Sequence, residues 1–371
     1  MASARVVYFS KMFQAVSHLA QVAAVLPGTF VSSRSSTLRA FKGHYPQLPC
    51  ARYSRYFAAF AKGNQLLNRA DVIVTGSPYG RFLAPYVEAR KCTVFHGTYM
   101  MLSRDQIRRN AHYDLLCVIG PRMKTMMSRY ADEFDLNTVE TGFLPFCEYP
   151  EQSANQRHAT LLQLGLDPAL KTVLYTPSRR GLGSWERVAE QLVRTLPGHF
   201  NLIMRPHPSQ SLTSRRKDRS SFANVRKLSA GRSNALLDLS VYPLSTVLSV
   251  ADLIISDANS PSEEALFYDI PQLFIETDDI DRNVIKGIGV REGMHSDDLD
   301  KLLSLYDCGL SMRVDAKPDF SVIVDQAIAD QQAYAGQRQD YFAWVFGQRD
   351  RNANQRVAAA IKSNLLQQEP K

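Results

Sequence analysis

The stretch ADLIISDANSPSEEALFYDIPQLFI, residues 251–275, sets the fold class. Its opening run is apolar on both faces and reads as a buried strand over 251–256. A helix is expected over 261–268 and a second strand at 271–275. A strand, a short helix and a strand in succession are the unit of a parallel sheet, because parallel neighbours need a crossover. Ser260-Pro261-Ser262-Glu263 reads as a capping box, with Ser260 at the N-cap, proline at the first helical position and Glu263 three residues on. Such a helix start offers unpaired N–H groups and partial positive charge to a phosphate or pyrophosphate. The cap accounts for Ser260 and Glu263 and leaves Glu264 over, free to accept hydrogen bonds from ribose or glycerol hydroxyls.

The same alternation runs through all 371 residues. In the first half strands are expected at 5–10, 29–33, 71–75, 92–96, 115–119 and 138–142, with helical patterns at 81–90 and 121–134. The segment 145–158 is irregular, carries two prolines and reads as a linker. The pattern restarts with strand 171–176, helix 184–196 and strand 200–205, followed by the opening stretch. Residues 329–367 are helical, rich in Gln, Ala and Arg, and are expected to pack back across the first domain. The expectation is an α/β, GT-B-like fold: two Rossmann-type domains, 1–150 and 151–330, facing a central cleft, with a C-terminal helical segment 331–371.

A net charge of +8 points to anionic partners. The densest basic run, Arg215-Arg216-Lys217-Asp218-Arg219, reads as a loop without interleaved aromatics, which argues against nucleic acid. The five cysteines have no metal-ligand spacing and no CxxC; Cys92 and Cys117 sit in apolar runs and read as buried thiols of a reducing, cytoplasmic protein. No metal or cofactor is expected. The N-terminal stretch is interrupted by Lys11, Gln14, Ser17, His18 and Gln21, so it reads as the first strand and helix, with Ser10 as cap, and not as a signal peptide. No run is long enough for a membrane span.

Three further strand ends carry chemistry. In VLYTPSRRGLGSWERV, 173–188, a strand meets Pro177, two arginines and a Gly181-Leu182-Gly183 turn, suited to a diphosphate through close backbone approach and guanidinium forks. In LIMRPHPSQS, 202–211, Arg205 and His207 stand among prolines at a strand end, and His207 is a candidate general acid or, as imidazolium, a hydrogen-bond donor to a phosphate. In TVFHGTYMM, 93–101, His96 ends a strand. Alone, such a histidine is a structural turn; set across a cleft from three anion-ready loops it is a candidate base.

In order and spacing these stretches resemble the CDP-glycerol glycerophosphotransferase family, which polymerises teichoic-acid glycerol phosphate. The matching residues are His96-Gly97-Thr98, Tyr175-Thr176-Pro177-Ser178-Arg179-Arg180, His207-Pro208 and Asp257-Ala258-Asn259-Ser260. The resemblance implies that His96 deprotonates an acceptor hydroxyl and that His207 assists at the donor phosphate. It implies that Arg180 and the loop from Asn259 to Ser260 hold the donor diphosphate; donor contacts are also expected from Gly97, Thr98, Ser178, Arg205, Asp257, Ser262 and Glu264. It also implies a nucleotide-diphosphate donor, CDP-glycerol first, a polymer or lipid-linked acceptor, and peripheral attachment to an anionic membrane surface. The chain departs from that family at Ala258-Asn259, where it has Tyr-Ser, and at Arg179, where it has Trp. Ser262-Glu263-Glu264-Ala265 resembles UDP-GlcNAc 2-epimerases, whose Thr-Glu-Arg-Pro-Glu stretch is absent here. The rival readings are therefore a nucleotide-sugar glycosyltransferase or 2-epimerase, and a non-catalytic nucleotide-binding protein.

Overall fold

In the computed structural model, residues 4–211, 215–240, 243–314 and 318–367 are described, and they build two wholly parallel sheets. The chain divides into two compact units: one from residues up to Glu148 and from Ala343 onward, the other from Tyr149 to Phe342.

The first unit holds β1 (Val6–Phe9), β2 (Gly28–Ser32), β3 (Cys50–Arg52), β4 (Val72–Thr75), β5 (Arg90–Thr93), β6 (Leu115–Val118) and β7 (Thr138–Glu140), ordered β3-β2-β1-β4-β5-β6-β7. Val6, Tyr8, Val72 and Val74 face a core completed by Leu19 and Val22 of helix Val16–Val25. Val357, Ile361 and Leu365, at the C-terminal end of the described chain, join the same core. The helical segment expected from sequence to pack back over the first domain does so from Ala343 onward and completes that core, while its residues before Ala343 belong to the second unit.

The second unit holds β8 (Lys171–Thr176), β9 (Phe200–Met204), β10 (Ala235–Leu237), β11 (Leu253–Ser256), β12 (Gln272–Glu276) and β13 (Gly309–Arg313), ordered β10-β9-β8-β11-β12-β13. Every residue of β9 and β11 is buried, as a strand covered on both faces must be. Trp185, Val188 and Leu192 of helix Trp185–Thr195 cover one face, over Val173, Tyr175, Ile255 and Ile275. The α/β class read from the apolar alternation is the observed one.

Several local expectations are corrected. Helix 81–90 shrinks to Gly80–Leu83, because Pro85 has no N–H to continue it, and Arg90 already opens β5. The basic run at 215–219 is no loop but the start of a helix, Arg216–Ser229, whose Phe222 and Val225 are buried. Ser10 does not cap the first helix. A 3-10 turn, Phe13–Ala15, intervenes, and the Ser10 hydroxyl instead accepts the Met12 N–H at 2.9 Å. Strands β3, β10 and β13 have no counterpart in the sequence reading. All three are sheet edges, where strands are short and one side needs no apolar cover.

Candidate active site

In each sheet the strand order reverses between two central strands, β1 and β4 in the first and β8 and β11 in the second. At such a reversal, beyond the carboxyl ends of the strands, open α/β sheets bind ligands. The candidate site residues read from sequence all lie in the strand ends and the segments that follow them.

On the first rim, β5 ends at Thr93, so His96 lies in the turn beyond the strand and not at its last position. The turn is held by left-handed backbone at Phe95 (φ 55°), Gly97 (φ 68°) and Tyr99 (φ 50°). Two non-glycine residues in that region within five positions is local strain of the kind structures maintain at functional loops. His96 Nδ1 donates to the Gly76 carbonyl at 2.5 Å, with the Ser77 hydroxyl at 3.0 Å from the same nitrogen. A carbonyl can only accept, so Nδ1 carries the proton and Nε2 presents its lone pair. Burial holds the imidazole below the ordinary histidine range, against the opposing pull of the Gly76 bond. His96 is therefore neutral at pH 7, with a basic nitrogen that has no partner among the described residues.

The support beneath His96 was not visible in sequence. Tyr113 donates to the Ser77 carbonyl at 2.6 Å and the Thr75 hydroxyl does so at 3.0 Å, fixing the segment that carries the Gly76 oxygen. The Gly97 N–H donates to Nε2 of His18 at 3.2 Å. Burial pushes His18 down to about 3, so it stays a neutral acceptor. Thr98, expected to touch donor, is buried, and its carbonyl accepts from Arg122 at 2.6 Å. The Arg122 guanidinium lies 5.4 Å from the Trp344 ring.

On the second rim, Asp257 is fully buried and accepts the Ser178 N–H at 2.6 Å, the Ser184 N–H at 3.0 Å and the Ser184 hydroxyl. Burial nevertheless raises its carboxyl to about 6. Its oxygens are occupied in folding the 178–184 loop, so Asp257 positions that loop. Gly183 is required there: a Cβ would stand 2.3 Å from the Ser178 carbonyl. Gly181 has φ 84°.

The two arginines of that loop divide the work. Arg180 is bound to the buried Asp218 and, at 3.0 Å, to Glu186. Arg179 is exposed and makes no ion pair among the described residues. His207 is half-buried, and its Nδ1 accepts the Ser209 N–H at 3.1 Å, which places its own proton on Nε2. Burial, and then the charge of Arg179, hold it below the ordinary range. His207 is thus a neutral N–H donor beside a free guanidinium, and the imidazolium expected from sequence is not favoured.

The capping box is also corrected. Asn259 is the N-cap of helix Ser260–Ala265 and makes no side-chain cap bond. Its Nδ2 donates instead to the Thr176 carbonyl at 2.8 Å, tying β8 to the loop after β11. Ser262 donates to the Asn259 carbonyl at 2.5 Å, while Glu263 turns away to accept from Tyr341 at 2.9 Å. Ala258 is left-handed, at φ 49°. Glu264 accepts from Tyr149 at 2.7 Å, and burial raises it to about 7, with Glu263 adding to the rise and Arg205 opposing it. Arg205 itself binds Asp238 at 2.8 Å. Thr176 Oγ1, Ser256 Oγ and Asn259 Oδ1, at the ends of β8 and β11 and in the loop after β11, are buried with no hydrogen-bond partner among the described residues, which marks this strand end as a place for ligand or water.

Among the described residues no helix is long and apolar enough to cross a membrane, and no group of three His, Cys, Asp or Glu is arranged to hold a metal ion.

Comparison with known proteins identifies the fold class. No protein-family model matches the chain, and no curated protein matches it in sequence. Solved structures do. The wall teichoic acid polymerase TagF superposes with a TM-score of 0.67 at 13% identity, over 98% of this chain and 89% of that one. S. aureus MnaA, solved with UDP, gives 0.62 at 14% identity over 99% of both chains. A putative UDP-N-acetylglucosamine 2-epimerase from Listeria monocytogenes gives 0.60 at 13% identity, over 100% and 99%. The chain has the α/β architecture of these GT-B proteins, two Rossmann-type units in succession. At such identities the likeness carries the fold alone.

Proposed function

We propose that the protein is a GT-B transferase using a nucleotide-diphosphate donor, and that it moves glycerol phosphate from CDP-glycerol to a hydroxyl of a cell-surface polymer or its lipid-linked precursor, releasing CMP. The observation that carries the reading is the state of His96: neutral, its proton fixed on Nδ1 by Gly76, and its Nε2 lone pair open. A base must hold that form to take a proton from a hydroxyl at neutral pH. The acceptor oxygen then attacks the β-phosphorus in line as Nε2 takes its proton. The bond from the β-phosphorus to the bridging oxygen breaks, and CMP leaves with that oxygen. His207 Nε2–H and Arg179 supply a donor and a positive charge for diphosphate oxygens. Glu264, with Ser260 nearby, suits the ribose or glycerol hydroxyls. The catalytic pair His96 and His207 is the one the sequence suggested, with Arg179 taking the diphosphate role first given to Arg180.

That TagF is a wall teichoic acid polymerase supports the donor; MnaA, solved with UDP, supports nucleotide-sugar chemistry instead. The Ser262-Glu263-Glu264-Ala265 run keeps this second reading in view. Work at the inner face of an anionic membrane belongs to the first reading, because a lipid-linked acceptor requires it.

Incubation with CDP-glycerol and a glycerol-phosphate acceptor decides between them. CMP release, cut by about 10²- to 10⁴-fold in His96→Ala, is expected. Turnover of UDP-GlcNAc alone would transfer the chain to the epimerase reading, and turnover of no nucleotide would leave a binding protein.

A further inference from the structure

No aspartate or glutamate precedes Asp71, whereas nine lysines and arginines do. Three of these follow three adjacent strands: Lys11 after β1, Arg34 after β2 and Arg55 after β3. The strands are parallel, so all three cations leave from the same rim, the one that carries His96. Lys11 is not a solvated surface residue. It is half-buried, with Nζ 5.0 Å from the Phe82 ring centroid and 5.9 Å from that of Tyr79. Its backbone is pinned on both sides: its N–H donates to the Tyr79 hydroxyl at 3.1 Å and its carbonyl accepts from Thr37 at 3.1 Å. Burial, and beyond it the charges of Arg55 and Arg34, hold its ammonium below the ordinary lysine range.

None of the three makes an ion pair among the described residues. Gathering like charges around a partly desolvated ammonium is unfavourable unless an anion joins them. The cluster also adjoins the base: the Ser77 hydroxyl that contacts His96 Nδ1 lies 3.3 Å from the sulfur of Met12, the residue after Lys11.

We propose that Lys11, Arg34 and Arg55 form a subsite for the phosphate group of a phosphorylated acceptor, holding it so that a hydroxyl of the same molecule reaches His96. The word acceptor rests on the transferase reading; the anion site does not. A diffuse membrane attraction would also use cations, and Tyr56, Phe57 and Phe60 beside Arg55 are exposed. It would not require a lysine set half-buried against aromatic rings, which favours a small, compact anion.

The test titrates the full chain with inorganic phosphate and with glycerol 3-phosphate at low salt, following the thermal midpoint, for wild type, Lys11→Gln, Arg55→Gln and Arg39→Gln. Both ligands should stabilise the wild type and Arg39→Gln. Lys11→Gln and Arg55→Gln should weaken both at least tenfold, and without ligand they should melt no lower than wild type, because a repulsion has been relieved. Lys11→Arg should retain binding, which separates lost charge from lost fold. Equal affinity in wild type and Lys11→Gln, or an equal loss in Arg39→Gln, would overturn the site. So would sedimentation with phosphatidylglycerol vesicles, but not phosphatidylcholine vesicles, in a protein that binds neither soluble phosphate. CMP titrated in parallel reports the transferase reading: phosphate binding without nucleotide binding would sink that reading and leave the subsite standing.

Discussion

His96 is tied through Nδ1 to the carbonyl oxygen of Gly76, 2.5 Å away, and this one bond decides which ring nitrogen can act as a base. The expected consequence is a pH profile. Because burial lowers the His96 pKa, the acid limb of kcat/KM should fall below the free-histidine value of about 6.5. A limb above that value, or one unchanged in His96→Gln, would remove His96 from the role of base.

His18 should behave as a brace. His18→Leu removes the acceptor of the Gly97 N–H and should cost about 1–3 kcal/mol, measured by denaturant unfolding. The sign with pH follows from its lowered pKa. The neutral, buried form contributes stability above about pH 6.5 that is lost as pH falls toward about 3, because the unfolded chain takes up the proton first. The variant should therefore lose less stability than wild type on acidification across that range.

Arg179 and Arg180 should separate cleanly. Arg179→Ala should raise the donor KM with little change in thermal midpoint, because the side chain is exposed and unpaired. Arg180→Ala should lower the midpoint, because it removes the guanidinium that is paired with the buried Asp218 carboxylate. The reverse pattern would return the diphosphate to Arg180.

Glu264 offers a test of the opposite sign. Its folded-state pKa, about 7, lies above the unfolded value of about 4.3. The stability associated with the protonated form is full below the unfolded value and lost as pH rises through 7. Glu264→Gln can keep the Tyr149 hydrogen bond and should melt higher than wild type at pH 8 relative to pH 5. A difference independent of pH would show that the carboxyl is not shifted.

The C-terminal segment should act as core and not as appendage. Ile361→Ala should cost about 2–5 kcal/mol, since the side chain is fully buried in the first unit's core. A cost near zero would detach the segment from that core.

What could be read without coordinates was set by short-range physics. Apolar runs on both faces of 72–75, 171–176 and 253–256 leave parallel, doubly covered strands as their stable arrangement, and glycine and proline punctuate the loops between them. The strand-end residues His96, Arg205, His207, Asp257 and Glu264 were legible for the same reason: polar groups at the end of a buried run have only the rim to occupy. Edge strands β3, β10 and β13 were not, because a strand with one open side needs little apolar signal. The roles on each rim were decided only by tertiary structure. Gly97 meets His18 across 79 residues, Ser178 meets Asp257 across 79, Arg180 meets Asp218 across 38 and Glu263 meets Tyr341 across 78. Hydrogen bonds and ion pairs depend on distances of a few ångströms, and no local pattern fixes those distances. The sequence by itself determined two Rossmann-type units and the polar residues that end their buried strands; the folding of distant residues onto one another decided which histidine nitrogen is free, which arginine is unpaired and which carboxylates are spent on structure.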